Sequence, residues 1–313
     1  MGRARGSNAL LTGAFETTPG VAPGNGFVKL PFVSHSMGEE RPLIASDLLG
    51  QGREPQDPTP DVATNTGDVV VPVDVRNFWY WLKLFMGPPA SANGTGGQTV
   101  HTFTSGAQSL PSMSLEIGSP EIPTFGTHYG TRGNQMKIGM TRSGLLNATL
   151  SLIAVGESDP SPTSISGAAT AKATQRFPQA TGSVKKDGAQ LGSVVAADFT
   201  FNNNLETVDT IKSDGRIEDS DPGMVAMTGS VTVRFKDTTL LAAASGSTPC
   251  ELDFGWTFGP HSLVFAVPRV FLPRPKRPIT GPAGIQAVFN WQASGANGAS
   301  CTATLTNDVA SYA

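Results

Sequence analysis

Between Thr66 and Pro89 the polarity of the chain changes period. Val69, Val71 and Val73 alternate with other residues, the two-residue repeat of a strand with one buried face. The next apolar positions, Phe78, Trp81, Leu82 and Phe85, recur at helical spacing instead. Asp74 suits an N-cap, Gly87 suits the residue after the helix, and Pro88-Pro89 forbid continuation. The spacing therefore predicts a strand followed by a helix between Asp74 and Gly87. Pro72 donates no ladder hydrogen bond, which puts this strand at an edge or leaves it only partly paired.

Trp79, Tyr80, Leu84 and Met86 occupy the remaining faces of that helix, so it is apolar nearly all round. Such a helix needs cover on several sides. One side is its own sheet; the other is a large core, a neighbouring domain or a neighbouring subunit. On the subunit reading Phe78, Trp79, Tyr80, Leu84 and Met86 form the candidate interface.

Alternation resumes in "SMSLEIG", "QMKIGM" and "LLNATLSLIAVG", the last two joined by a turn at Ser143-Gly144. Residues 1–26 are rich in Gly, Ala, Asn and Pro and read as a flexible arm. "FVKLPFVSHSM" is a strand interrupted by Pro31, and 50–66 reads as a loop. Residues 157–195 are rich in Ser, Thr, Ala and Gly and read as a linker, with one strand embedded near Gln175–Phe177.

The second half repeats the order. Val231, Val233 and Phe235 alternate, Asp237 caps a short helix "TTLLAAAS", and Gly246 ends it. "ELDFGWTFG" is the cleanest half-buried strand; "HSLVFAVPRVFL", "GIQAVFNWQAS" and "SCTATLT" complete the set. Thr66-Gly67 matches Thr228-Gly229, and "MGEERPLIASD" echoes "NNLETVDTIKSD" with Ser46-Asp47 facing Ser213-Asp214. The reading is internal duplication: two β domains at 27–156 and 196–313, each with one short helix.

Composition narrows the function. With 36 Gly, 24 Pro and 15% charged residues the chain suits many short strands and turns. A formal net charge of −3 offers no overall basic surface for nucleic acid. No apolar run reaches the ~18 residues of a membrane span, and the start does not read as a signal sequence. Cys250 and Cys301 lie far apart, as buried thiols do in a reducing compartment. His35, His101, His128 and His261 lack metal-ligand spacing, and no phosphate loop or nucleophile motif occurs. No enzyme activity, cofactor or metal is expected. Arg269, Arg274, Lys276 and Arg277 crowd among prolines at 268–282, read as an exposed loop rather than a nucleic-acid contact.

The strand-helix unit "TGDVVVPVDVRNFWYWLKLFMG", with "SLPSMSLEIG", "GNQMKIGMTRSGLLNATLSLIAVGE" and "TGSVTVRFKDTTLLAAASG", resembles the tail tube proteins of long-tailed bacteriophages. That resemblance implies a β-sandwich or half-barrel with a flanking helix, whose copies close side by side into a ring-shaped β-barrel. Rings stack into the tube through which double-stranded DNA passes. It also implies a virion protein made in the host cytoplasm, meeting the tape measure, tail tip and tail terminator. Single-domain subunits of this kind form sixfold rings, so two tandem domains suggest a trimer with pseudo-sixfold symmetry, the hexamer being the rival. Glu251 and Asp253, on the polar face of the cleanest strand, are the candidate lumen lining. A carbohydrate-binding or adhesin-like sandwich would need an exposed aromatic platform instead, and a hydrolase a convergent His/Asp/Glu site.

Overall fold

The computed structural model describes residues 3–234, 238–276 and 284–312, which are mainly β. The first half carries β1 (Leu10–Phe15), β2 (Ser34–His35), β3 (Gly38–Glu40), β4 (Thr64–Pro72), helix α1 (Phe78–Met86), β5 (Thr99–Thr104), β6 (Met113–Ser119), β7 (Thr124–Thr141) and β8 (Asn147–Ala154). The second carries β9 (Ser183–Lys186), β10 (Val194–Asn202), β11 (Ala226–Arg234), helix α2 (Thr239–Gly246), β12 (Cys250–Phe258), β13 (His261–Phe271), β14 (Gln286–Ala293) and β15 (Thr302–Asn307). Shorter pairings fill the connections.

A broad antiparallel sheet runs β2/β3–β4–β8–β7–β10–β11–β14–β13. A second layer runs β9–β12–β13–β15–β5. The layers meet through aromatic rings: Phe199 of β10 lies 5.3 Å from Phe254 and 4.8 Å from Phe265, and Phe254 lies 5.5 Å from Trp291. β7 is long enough to serve two sheets. Its first part pairs with β6, which pairs with β1, and its second part joins the broad sheet.

Helix α1 fills the other end of the core. The helix begins only at Phe78, with Asn77 rather than Asp74 at the N-cap position; Asp74, fully buried, still accepts hydrogen bonds from the Asn77 and Phe78 backbone N–H groups at 3.1 and 2.8 Å and so holds the entry to the first turn. Gly87, at φ 88°, closes the last turn by donating to Lys83 O. Trp79 packs edge-on to Phe103 and Phe15, and Tyr312 near the C-terminus stacks on it at 4.2 Å. Phe85 fits where Gly133 of β7 leaves room; a Cβ there would sit 2.7 Å from its ring.

The main pairings of the first half recur in the second with the same register. Gly67 pairs with Leu152 and Val71 with Ala148; Gly229 pairs with Trp291 and Val233 with Ala287. Ser34 to Glu40 run against Val70 to Thr64 as Ala196 to Asn202 run against Thr232 to Ala226. Even the irregularity repeats: the bulge between Met113 and Leu115 opposite β7 returns between Cys250 and Leu252 opposite β13. β1 lies on β6 as β9 lies on β12, Gly13 opposite Leu115 and Lys186 opposite Leu252. The Thr-Gly match has a steric cause as well. A Cβ on Gly67 would come within 2.6 Å of the Ser36–Met37 backbone, and one on Gly229 would strike the Asp198 carbonyl.

Several expectations need correction. Residues 10–15 of the expected arm form a paired strand with Leu11 and Ala14 buried, because its alternation was masked by small residues. The expected linker holds β9, the start of β10 and, at Gln175 and Phe177, backbone bonds to Val75 and Val73. The halves do not part into two bodies, since the broad sheet crosses between them at β7–β10 and one buried cluster spans both. The described residues of a single chain close no barrel. Register sets Arg41–Ala63 against Asn203–Val225, so Ser46-Asp47 does not face Ser213-Asp214. Phe235, the Asp237 cap and Arg277 lie outside the described residues.

Those two equivalent connections are tied together at their roots. Arg216 donates to both Glu39 oxygens at 2.6 and 3.0 Å and to Glu157 O at 2.8 Å. Glu39 is partly desolvated, which opposes ionisation, yet its bonds from Arg216, Glu157 N–H and Arg41 hold the carboxyl below its ordinary value. Beneath it His128 is buried, 3.1 Å from the Asn65 amide and 3.9 Å from Glu157. Desolvation lowers its pKa from 6.5 against the attraction of Glu157 and Glu39, with His35 opposing protonation; His35 is itself lowered by burial.

Two predictions follow from this packing. A histidine whose folded pKa lies below its unfolded 6.5 leaves the unfolded chain holding more protons as pH falls. Melting temperature should hold level above about pH 7 and decline below pH 6.5, with a further loss as Glu39 protonates at more acid pH. His128→Gln should flatten the first part of that decline in a calorimetric pH series; an unchanged profile would refute the assignment. Second, Trp79→Ser should cost about 3–5 kcal/mol in denaturant unfolding, as for a large aromatic removed from a core. Unchanged stability with lost self-association would instead support the subunit-interface reading of α1.

Candidate assembly surface

The broad sheet turns one face to the core and the other outward. Outward side chains on β4, β8, the second part of β7, β10, β11 and β14 are mostly Thr, Ser, Asn and Gln, with a few small or aliphatic residues. Four charges interrupt them: Asp68, Lys137, Asp198 and Arg234. Two are acidic and two basic; Glu40 on β3, opposite the outward Thr64, adds a third acid, so the face carries little net charge. Ser151 donates to Asp68 at 2.5 Å and Ser230 to Asp198, which holds both carboxylates flat on the sheet.

The sheet has two ends. At one, β2 and β3 pair only with β4; on their other side the Glu39 N–H is taken by Glu157 Oε2 at 3.0 Å, and the rest of that edge has no strand partner among the described residues. At the other, β13 leaves the ladder after Phe271. Open edges present unpaired N–H and C=O groups and are templates for another strand. Beside the sheet project the connections 41–63 and 203–225, each carrying a two-stranded hairpin, Leu43–Ile44 with Thr59–Pro60 and Glu206–Val208 with Asp219–Asp221. Ala63 N–H donates to Gly215 O at 2.8 Å, and Arg41 donates to Asp214 O at 2.8 Å. Leu43, Leu48, Leu49, Val62, Ile211 and Met224 on them are exposed, Leu49 at 93% and Met224 at 88%.

The residues singled out in the sequence fall elsewhere. Phe78, Trp79, Tyr80, Leu84 and Met86 are all buried, at most 6% exposed, because β1, β5, β7 and the C-terminal Tyr312 already cover every side of α1. They offer no free face to a second subunit. Glu251 and Asp253 lie on β12 in the second layer, where Lys185 faces Asp253, rather than on the broad sheet. Burial raises the pKa of both, with Asp253 and Asp187 adding to the rise at Glu251. Cys301 is fully buried, and burial pushes its thiol pKa up. Among the described residues no group of three His, Cys, Asp or Glu is placed to hold a metal, and no helix is long and apolar enough to cross a membrane.

Sequence reasoning missed the edges and the paired connections. The signal for them was present: two Thr-Gly strands each preceded by a connection of the same length. Comparison with curated proteins returned no match. Comparison with protein families matched residues 6–293 to the family described as phage tail tube protein, a span that takes in both helices and every strand of the broad sheet. The chain belongs to the phage tail tube protein family and is a structural component of the phage virion.

Proposed function

We propose that copies of this chain close side by side into rings, that the rings stack into the tail tube, and that the outward face of the broad sheet lines the channel for the genome. One observation carries the reading. The sheet consists of two equivalent segments, β2/β3–β4–β8–β7 and β10–β11–β14–β13, already joined edge to edge through β7 and β10. A third segment would add at either end by the same rule, and curvature then closes the set.

On this reading the chain carries two tandem tube units, and three chains supply the positions that six single-unit subunits would fill. The rival hexamer sends the second half outside the ring. It fits less well, since β10, β11 and β14 extend the same sheet as β4, β7 and β8. The lining is then rich in hydroxyls and amides, with its few acidic and basic side chains interspersed. Phosphates passing it meet no basic track on which to condense, so DNA slides. Glu251 and Asp253 belong on this view to the outer layer. The exposed apolar side chains of 41–63 and 203–225 make the contact from ring to ring, and terminal rings meet the tape measure, tail tip and terminator. Synthesis is in the host cytoplasm.

Purified protein should form hollow rods by electron microscopy, with three chains per ring in a reconstruction. Discrete monomers at high concentration would overturn the ring, and six chains per ring would overturn the trimer. The stacking loops have their own check. Trypsin should cut at the exposed Arg53 in free subunits and spare it in rods; equal cutting in both states would remove 41–63 from the ring-to-ring contact.

A further inference from the structure

The strands of the broad sheet finish at two opposed ends. Asn65 faces Ala154, and Gln135 faces Asn202, which faces Ala226 in turn; the connections 41–63 and 203–225 leave from this end. Pro72 faces Asn147, Thr141 faces Ala196 and Arg234 faces Gln286 at the other. The first end is acidic. Connection 41–63 holds four acidic residues against two basic, and 203–225 holds six against two.

At the second end a groove of about 800 Å³ opens where β7 meets β10, bounded by residues 179–191 and by the last residue of β11. Met140 and Val184 in it are buried, and Leu191 and Val194 are half-buried against the core, so its floor is apolar. Arg142 and Arg234 also line it. Both are exposed, neither guanidinium has a hydrogen bond or ion pair among the described residues, and no described acidic residue lines the groove. Such a site suits a ligand that is apolar and acidic at once.

Connection 41–63 has that character. Residues 45–58 form its tip, beyond the hairpin of Leu43–Ile44 with Thr59–Pro60. Leu48 and Leu49 are exposed there, and Asp47 beside them is the single charge between Pro42 and Gly52. Connection 203–225 fits less well: its most exposed apolar residue, Ile211, adjoins Lys212, which the two arginines would repel.

We propose that the tip of 41–63 of one chain seats Leu48 and Leu49 in this groove on a second copy in the next ring, with Asp47 facing Arg142 and Arg234. The proposal rests on the stacked-ring reading and gives the stack a direction. Strands tilted around a closed barrel end on the two faces of the ring, so tip and groove lie on opposite faces. Acidic ends then meet basic ends in head-to-tail order, whereas head-to-head rings would set like charges together. The groove also lies on the joint between the halves, so docking there bears on both units of the receiving chain.

The test is a cysteine pair, Leu49→Cys with Gln190→Cys, joined by a short bismaleimide in assembled rods. Both positions are exposed, Gln190 on the groove wall, and native Cys250 and Cys301 are buried. Links from ring to ring should give a ladder of covalent multimers running past the number of chains in one ring. A ladder that stops at that number, or none, overturns the docking. Ile211→Cys with Gln190→Cys is the comparison; a long ladder from that pair alone would hand the groove to 203–225 and overturn the assignment. Charge reversal supplies the second arm. Arg142→Glu with Arg234→Glu should lower the sedimenting rods roughly tenfold, or about 1.4 kcal/mol of association free energy. Single rings should persist on size exclusion with an unchanged circular-dichroism melt, and adding Asp47→Arg should restore the rods. Normal rod growth in the reversed variant overturns the docking and leaves the tube intact. Wild-type protein that forms no rings overturns the ring reading and the docking with it.

Discussion

The ladder between Gln135–Thr141 and Ala196–Asn202 is the joint on which the architecture turns. It satisfies two strand edges at once, and every edge left open in a β protein is a liability. Without it the first half would end at β7 and the second would begin at β10, each exposing a flat, polar-faced edge. With it the halves share a sheet, and the aromatic contacts of Phe199 with Phe254 and Phe265 sit directly behind the joint. The stability of one half is therefore tied to the placement of the other. A tandem pair fused this way cannot behave as beads on a linker.

Given that joint, the two halves were free to diverge in what fills them. The first half buries α1, with Phe78, Trp81 and Phe85 all below 2% exposure. The second has α2, whose buried residues are Leu240 and Ala244 only, while Phe254, Phe265 and Trp291 of its strands fill the core. The strand registers and the bulge opposite β7 and β13 stay fixed while the helices differ. That division has a physical basis. Register determines which side of each strand faces the core, and a slip by one residue exposes the whole apolar set. Helix side chains have no such all-or-none constraint.

Much of this was legible in the sequence, and the failures have causes. Val69, Val71, Leu150 and Leu152 announce their strands through strict alternation, and Asp74 and Gly87 announce the ends of α1 through capping chemistry. Thr66-Gly67 and Thr228-Gly229 announce the repeat, because only glycine admits the neighbouring backbone there. β1 was hidden because "LLTGAF" places its small residues together and shows no alternation, and its partner β6 lies about a hundred residues away, a distance that periodicity does not span. The linker was misjudged for the same reason: β9 owes its existence to the edge of β12 and not to its own apolar content. The helix misled in another way. An all-round apolar surface states only that cover is required, and Tyr312, from the far end of the chain, supplies part of it.

What a sequence of this kind conceals most completely is chemistry that belongs to no single chain. The exposed leucines of 41–63 look like loop noise by any local measure. They gain meaning only when the register of one half is laid over the other. A duplicated fold holds an internal copy of its own lateral contact, since the segment that would have been a neighbour has become the second half. The joint sets Lys137 opposite Thr200 and Gly139 opposite Asp198. Tethering makes this joint intramolecular, at high effective concentration, so few side-chain contacts are needed to hold it. A junction between separate chains has no tether and must meet the whole cost of association from its own contacts.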